Sequence, residues 1–135
     1  MVEDDLDIQI VARLALEAVG GYTVATCSDG RQALRMAADF APDLILLDVM
    51  MPDMDGPTVF EKLREEAALR EVPVIFMTAK AQAHEIEGYL ALGALGVVSK
   101  PFDPMTLSAT VAEIWENCAA KTREKALSMV GSVGA

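Results

Sequence analysis

Short, continuously apolar runs alternate along this chain with longer stretches whose apolar residues recur at three- and four-residue spacing. Leu6, Ile10, Val11, Leu14, Ala15 and Ala18 predict a first helix, stopped by Gly20-Gly21. Tyr22 to Cys27, with β-branched Thr23, Val24 and Thr26, predicts a strand. A helix over 30–40 places Ala33, Leu34 and Ala37 on one face. Pro42-Asp43 then leads into a strand from Leu44 to Asp48. Pro57 suits the first turn of a third helix, whose apolar face is Val59, Phe60 and Leu63. Val74 to Thr78 reads as a strand and Gln82 to Leu92 as a weaker helix ended by Gly93. Leu95 to Ser99 is a short last strand. From Pro104 a final helix carries Leu107, Val111, Ile114, Trp115 and Cys118. Strands that are apolar throughout, alternating with helices, predict an α/β domain: a parallel sheet covered on both faces.

In such sheets ligands bind beyond the carboxyl ends of the strands. Asp48 ends the run Leu44-Ile45-Leu46-Leu47, Thr78 ends the run from Val74, and Lys100-Pro101 follows the last strand. Glu3 and Asp4 join them if the chain opens with a strand. Only Met1-Val2 precede Glu3, so that strand is expected to be a truncated stub, giving a weaker sheet or an edge open to another chain.

A buried strand-end carboxylate loses its water and needs compensation. Two carboxylates about 4 Å apart repel by roughly 4 kcal/mol at an effective dielectric near 20. Glu3, Asp4 and Asp48 together therefore suit a hard cation such as Mg²⁺, with the backbone carbonyl of Met50 as a further oxygen ligand. A carboxylate in that position is also a nucleophile able to form an aspartyl phosphate. Lys100 offers a point charge and Thr78 a hydroxyl for the phosphoryl oxygens, and Ala79 leaves them room. One lysine and one hydroxyl beside three acids describe a phosphoryl acceptor rather than a hydrolytic triad.

Composition narrows the partners. The chain has 135 residues, 53% hydrophobic but only 5% aromatic, with a formal net charge of −10. One domain with an aliphatic core is expected. The acidity argues against direct nucleic-acid binding, which needs a basic face. No apolar run approaches membrane-spanning length, and the N-terminus is acidic at once, so a cytoplasmic, membrane-free protein is expected. Cys27 and Cys118 form no CxxC motif; they could pair, but reduced packing thiols are expected. His84, the single histidine, is expected at the surface, Trp115 in the core, and the run from Glu61 to Glu66 on a solvated helix face.

Val2-Glu3-Asp4-Asp5, Leu46 through Gly56 around Asp48, Met77-Thr78-Ala79 and Lys100-Pro101-Phe102 stand in order at strand ends. In this the chain resembles the receiver domain of two-component response regulators, over about residues 1–118. The resemblance implies a flavodoxin-like sheet of five parallel strands in the order 2-1-3-4-5. It implies that Asp48 accepts a phosphoryl group from a histidine kinase or a histidine phosphotransfer protein. It makes Glu3 and Asp4 the acidic pair, with Asp4 the direct Mg²⁺ ligand, Thr78 the switch hydroxyl and Lys100 the partner of the phosphoryl oxygen. It implies a cis bond before Pro101. Such a domain catalyses only its own phosphorylation and slow autodephosphorylation. Residues 1–120 would form the receiver and 121–135 a helical extension or frayed tail. With no room for an output domain, the chain would stand alone or be a piece of a larger protein.

The sequence departs from the family pattern at Val97, where many members carry a swinging Tyr or Phe, and at Lys80, where an acidic or polar residue is common. The output surface is expected on the fourth helix, last strand and last helix, moved through the backbone, toward an unknown downstream protein. Three rival readings fit these residues less well. A flavin site would need a hydroxyl-rich phosphate loop where Glu3-Asp4-Asp5 stands. A phosphatase would need an acid two residues after Asp48, where Met50 stands. A receiver-like interaction module that has lost phosphorylation would not need the full set of site residues.

Overall fold

The computed structural model describes residues 1–117. Its elements are α1 (Leu6–Leu14, continued by a π-helical turn over Ala15–Val19), α2 (Gly30–Phe40), β1 (Ile45–Asp48), α3 (Gly56–Glu65), a short 3₁₀ turn (Ala67–Leu69), β2 (Val74–Thr78), α4 (Ala83–Leu92) and β3 (Gly96–Ser99). A last helix, α5, runs from 107 through 117. Cys118 and the expected tail at 121–135 lie outside the described residues.

Each of the first three helices starts on an aspartate. The Asp5 carboxylate accepts from Asp7 N–H at 2.9 Å, that of Asp29 from Gln32 N–H at 2.8 Å, and that of Asp55 from Thr58 N–H at 3.0 Å. Each such cap stabilises a helix start by about 1 kcal/mol. Pro57 occupies the first turn of α3, and Asp53 takes the left-handed conformation of a turn former at φ 68°. Gly93, at φ 114°, ends α4.

The strands form a parallel sheet in the order β1-β2-β3, with Ile45 opposite Val74 and Ile75 opposite Gly96. Side chains alternate across it. Ile45, Leu47, Val74 and Phe76 pack with Ala33 of α2 and Val59, Phe60 and Leu63 of α3. Leu46, Ile75, Met77 and Val98 pack on the other face with Ala12 and Leu16 of the first helix and with Leu107 and Val111 of α5. Helices therefore cover both faces, as the pattern predicted. α4 buries no residue fully; its main anchor is Tyr89, whose ring lies 5.2 Å from that of Phe76.

Three expectations need correction. Tyr22 to Cys27 does not join a ladder: Val2 bridges Cys27 on one side and Leu47 on the other, as isolated contacts. Met1 reaches Ala25 and Cys27, but residues 22–24 pair with no strand among the described residues, and β-propensity alone does not make a sheet. The first helix also turns a different face inward. Gln9, Ala12, Ala15 and Leu16 are buried, whereas Leu6, Ile10 and Leu14 are 63%, 57% and 60% exposed. Small Ala12 lets the helix lie close on the sheet, so the longer residues point outward. Arg64 is not simply solvated: its guanidinium lies 4.6 Å from the centre of the Phe60 ring and donates to the carbonyls of Leu69 (2.9 Å) and Val72 (2.7 Å).

Candidate functional site

The carboxyl ends of Val2, β1, β2 and β3 bring four segments to one edge. Backbone bonds hold them in register: Glu3 N–H donates to Cys27 (3.0 Å), Asp48 N–H to Val2 (3.0 Å), Val49 N–H to Met77 (3.0 Å) and Lys100 N–H to Thr78 (2.8 Å). Glu3 and Asp48 are 1% and 2% exposed, and Thr78 is 1% exposed, while Asp4 stands in solvent at the rim. One carboxylate oxygen from each of Glu3, Asp4 and Asp48 lies within 4.8 Å of the others. The peptide before Pro101 is cis. Lys100 Nζ donates to Glu3 Oε2 at 2.8 Å and to Asp48 Oδ1 at 3.0 Å.

Burial pushes the Glu3 carboxyl above its ordinary range; the Lys100 bond and the Asp5 N–H on Oε1 pull it partly back, and the Asp48 charge pushes it up again. Burial likewise raises Asp48, against the pull of Lys100. The neighbouring Asp4 carboxyl adds to the rise, and the backbone of Met50 counters it. Burial by itself would lower Lys100, yet its bonds to Glu3 and Asp48 and their charges outweigh this and leave it raised. The pocket is thus rich in oxygen donors with more negative charge than one ammonium can balance. A hard divalent cation fits this donor set.

Sequence reasoning placed Glu3, Asp4, Asp48 and Lys100 here, and the fold brings all four together. Thr78 stands one position beyond Met77, which is Asp48's partner in the register. Its hydroxyl accepts from Lys80 N–H at 3.0 Å, leaving its own O–H as a donor. The Met50 side chain is exposed, and its backbone N–H favours the ionised Asp48 carboxylate. His84 is exposed, 3.4 Å from Glu85, and belongs to no cluster.

Two supporting residues were not foreseen. Gln9 is buried, and its amide donates to the Glu3 carbonyl and to Ser28 Oγ (3.2 Å), stapling the acidic loop to the next one. An uncharged polar residue between Ile8 and Ile10 was the available signal. Gly56 presses on the Asp48 loop: a Cβ there would lie 2.5 Å from the Asp48 carbonyl oxygen and 2.9 Å from Val49 Cα.

The sequence profile of the response regulator receiver domain matches residues 1–112. This chain belongs to the receiver family. Among curated relatives, the response regulator PleD of Caulobacter vibrioides is 41% identical over 115 residues, 84% of this chain and 25% of PleD. The alkaline phosphatase synthesis transcriptional regulatory protein PhoP of Bacillus subtilis is 39% identical over 114 residues, 84% of this chain and 46% of PhoP. The chain therefore spans a quarter to under half of these relatives. Among solved receivers, the chemotaxis protein CheY4 of Vibrio cholerae superposes with a TM-score of 0.77 at 32% identity, covering 84% of this chain and 93% of that one. The receiver domain of sensor histidine kinase PA1611 from Pseudomonas aeruginosa, solved with a magnesium ion coordinated in its active site cleft, gives 0.72 at 33% identity, covering 83% and 91%. The receiver fold here is accordingly the flavodoxin-like α/β fold, with a parallel sheet between helices. No helix among the described residues is long and apolar enough to cross a membrane.

Proposed function

We propose that this receiver takes a phosphoryl group onto Asp48 from the phosphohistidine of a histidine kinase or histidine phosphotransfer protein. The observation that carries the reading is the single ammonium of Lys100 spanning Glu3 and Asp48 while Asp4 stands beside them. An Asp48 carboxylate oxygen attacks phosphorus, the P–N bond to the imidazole breaks, and the imidazole leaves with the bonding pair. Lys100, already 3.0 Å from Asp48 Oδ1, meets one oxygen of the group delivered there. Thr78 turns its O–H toward another.

Glu3, Asp4 and Asp48, with the Met50 carbonyl, would hold Mg²⁺, and Asp4 at the exposed rim would be a direct ligand. Bound there, Mg²⁺ supplies positive charge to the phosphoryl oxygens. The magnesium-containing PA1611 receiver supports this assignment.

In the complete sheet the order is 2-1-3-4-5, with the Val2 and Cys27 bridges standing for the first two strands. Phosphorylation raises the local charge to about −1.5 to −2. It pulls the Thr78 loop, and α4, β3 and α5 follow, presenting their surface to a downstream protein. The chain acts in the cytoplasm as a signalling domain that catalyses only its own phosphorylation and slow dephosphorylation. The test is Mg²⁺-dependent labelling by acetyl phosphate. Wild type takes up label and Asp48→Asn does not; label retained by the variant would eliminate Asp48 as acceptor.

A further inference from the structure

The start of α4 is built differently from the starts of α1, α2 and α3. Each of those opens on an aspartate whose carboxylate accepts a backbone N–H of the first turn. α4 opens on Gln82, whose side chain makes no capping hydrogen bond. Its first turn closes only through the Gln82 carbonyl, which accepts from Glu85 N–H (3.0 Å) and Ile86 N–H (2.9 Å). Among the described residues the N–H of Gln82 itself makes no hydrogen bond, and Gln82 is exposed.

Glu85 stands at the third position of that turn. A glutamate there can reach back and accept the N–H of the residue that opens the helix. The Glu85 carboxylate does not do so in this state. Its Oε1 lies 3.4 Å from Nε2 of exposed His84, and its Oε2 is buried without a hydrogen-bond partner. A buried acceptor lacking a donor costs free energy. An unused donor and an unused acceptor therefore stand three residues apart at one helix start.

The far end of α4 is closed. Gly93 N–H donates to Leu90 (3.0 Å) and Ala94 N–H to Tyr89 (3.2 Å). Between the ends, no residue is fully buried and Gly88 weakens the helical preference. The turn after β2 governs the open end. Thr78 Oγ1 accepts from Lys80 N–H at 3.0 Å, while the Thr78 carbonyl accepts from Lys100 N–H at 2.8 Å. The carbonyl bond fixes Thr78 on the sheet, and the hydroxyl bond folds the chain back just beyond it. Only Ala79, Lys80 and Ala81 lie between Thr78 and Gln82, so this turn sets where the Gln82 N–H points.

We propose that the start of α4 is a cap that closes on phosphorylation: Thr78 Oγ1 releases Lys80 N–H, residues 79–81 shift, and Gln82 N–H comes onto Glu85 Oε2. This rests on the reading of Asp48 as the phosphoacceptor. One hydrogen bond is exchanged for two, since the Thr78 hydroxyl gains a phosphoryl oxygen and Glu85 gains a donor. Capping then favours the same state as the phosphoryl group and adds to its bias. Glu85 stands outside the acidic cluster and acts only by positioning α4.

The test follows amide exchange at Gln82 and amide shifts at Asp48 and Thr78, with and without Mg²⁺ and beryllofluoride. Wild type, Glu85→Gln and Glu85→Ala are compared as full chains. In wild type the Gln82 amide is expected to exchange about fivefold or more slowly once beryllofluoride is bound. Glu85→Ala should abolish that slowing, while Glu85→Gln, which keeps an acceptor oxygen, should retain most of it. A Gln82 amide that stays unprotected while Asp48 and Thr78 shift overturns the cap and leaves the acceptor reading standing. Slowing in Glu85→Ala equal to that in wild type overturns it too. So does a loss of protection in Glu85→Ala that is the same with and without beryllofluoride, which would make Glu85 a static support. If beryllofluoride shifts no pocket amide, the acceptor reading fails first and the cap falls with it.

Discussion

Replacing Lys100 by Met removes the one cation that touches both buried carboxylates. Its Nζ lies 2.8 Å from Glu3 and 3.0 Å from Asp48. At an effective dielectric near 20, each contact carries a gross attraction of about 5–6 kcal/mol. Glu3 and Asp48, within 4.8 Å, repel by about 3–4 kcal/mol at the same dielectric. Much of the net attraction offsets desolvation, and stripping one partner from a buried ion pair costs about 3–5 kcal/mol. That predicts a fall in Tm of about 12–20 °C for a domain this size. The loss should depend on pH. Both carboxyls already titrate above their ordinary range, and without the ammonium they go higher. A raised folded-state pKa gives stability that is present at low pH and lost as pH rises through it. The penalty is therefore larger at high pH, where both carboxyls are ionised, than at low pH, where they hold protons. Urea melts of wild type and variant at pH 5 and pH 8, with and without Mg²⁺, check this. Equal losses at pH 5 and pH 8, untouched by Mg²⁺, would refute the electrostatic account and leave only lost packing.

Without divalent ions the raised Glu3 and Asp48 should add stability as pH falls, against the buried Met1 ammonium, whose lowered pKa subtracts it. Saturating Mg²⁺ should abolish or reverse the carboxyl contribution, because the ion binds the deprotonated carboxylates; melts across the range read it directly. Asp4→Asn touches an exposed residue, so stability should change by less than about 0.5 kcal/mol. Its Mg²⁺ affinity, measured by calorimetry, should drop about tenfold or more. Gly56→Ala should cost about 1–3 kcal/mol in a urea melt, because its Cβ would meet the Asp48 carbonyl and force the loop to shift. After beryllofluoride addition, amide shifts should extend from the acidic pocket to Val97 and α4; shifts confined to the pocket would count against backbone transmission.

The site was readable because one topological rule maps strand ends to a common edge. Asp48, Thr78 and Lys100 close apolar runs, and Glu3-Asp4 follow Val2, so their convergence needed only the strand assignments. The shared use of Lys100 by Glu3 was not readable, since pairing across 97 positions depends on the final packing. Gln9 was missed for a related reason. Periodicity put Leu6, Ile10, Val11 and Leu14 with Ala15 on the buried face, whereas Gln9, Ala12, Ala15 and Leu16 are the residues turned inward. The Tyr22–Cys27 strand failed because a strand is a property of a pair. Thr23 and Val24 favour the conformation, but the partner ends at Met1.

The weak attachment of α4 bears on how such a domain can respond at all. No residue of α4 is fully buried; Tyr89 meets Phe76, and Glu85 and Ile86 are half-buried. Under the proposed phosphorylation such a rod would tilt without opening the hydrophobic layers beneath it, because little cohesion would resist a pull at Thr78. The better packed elements would then act as a frame and the loosest rod as its pointer.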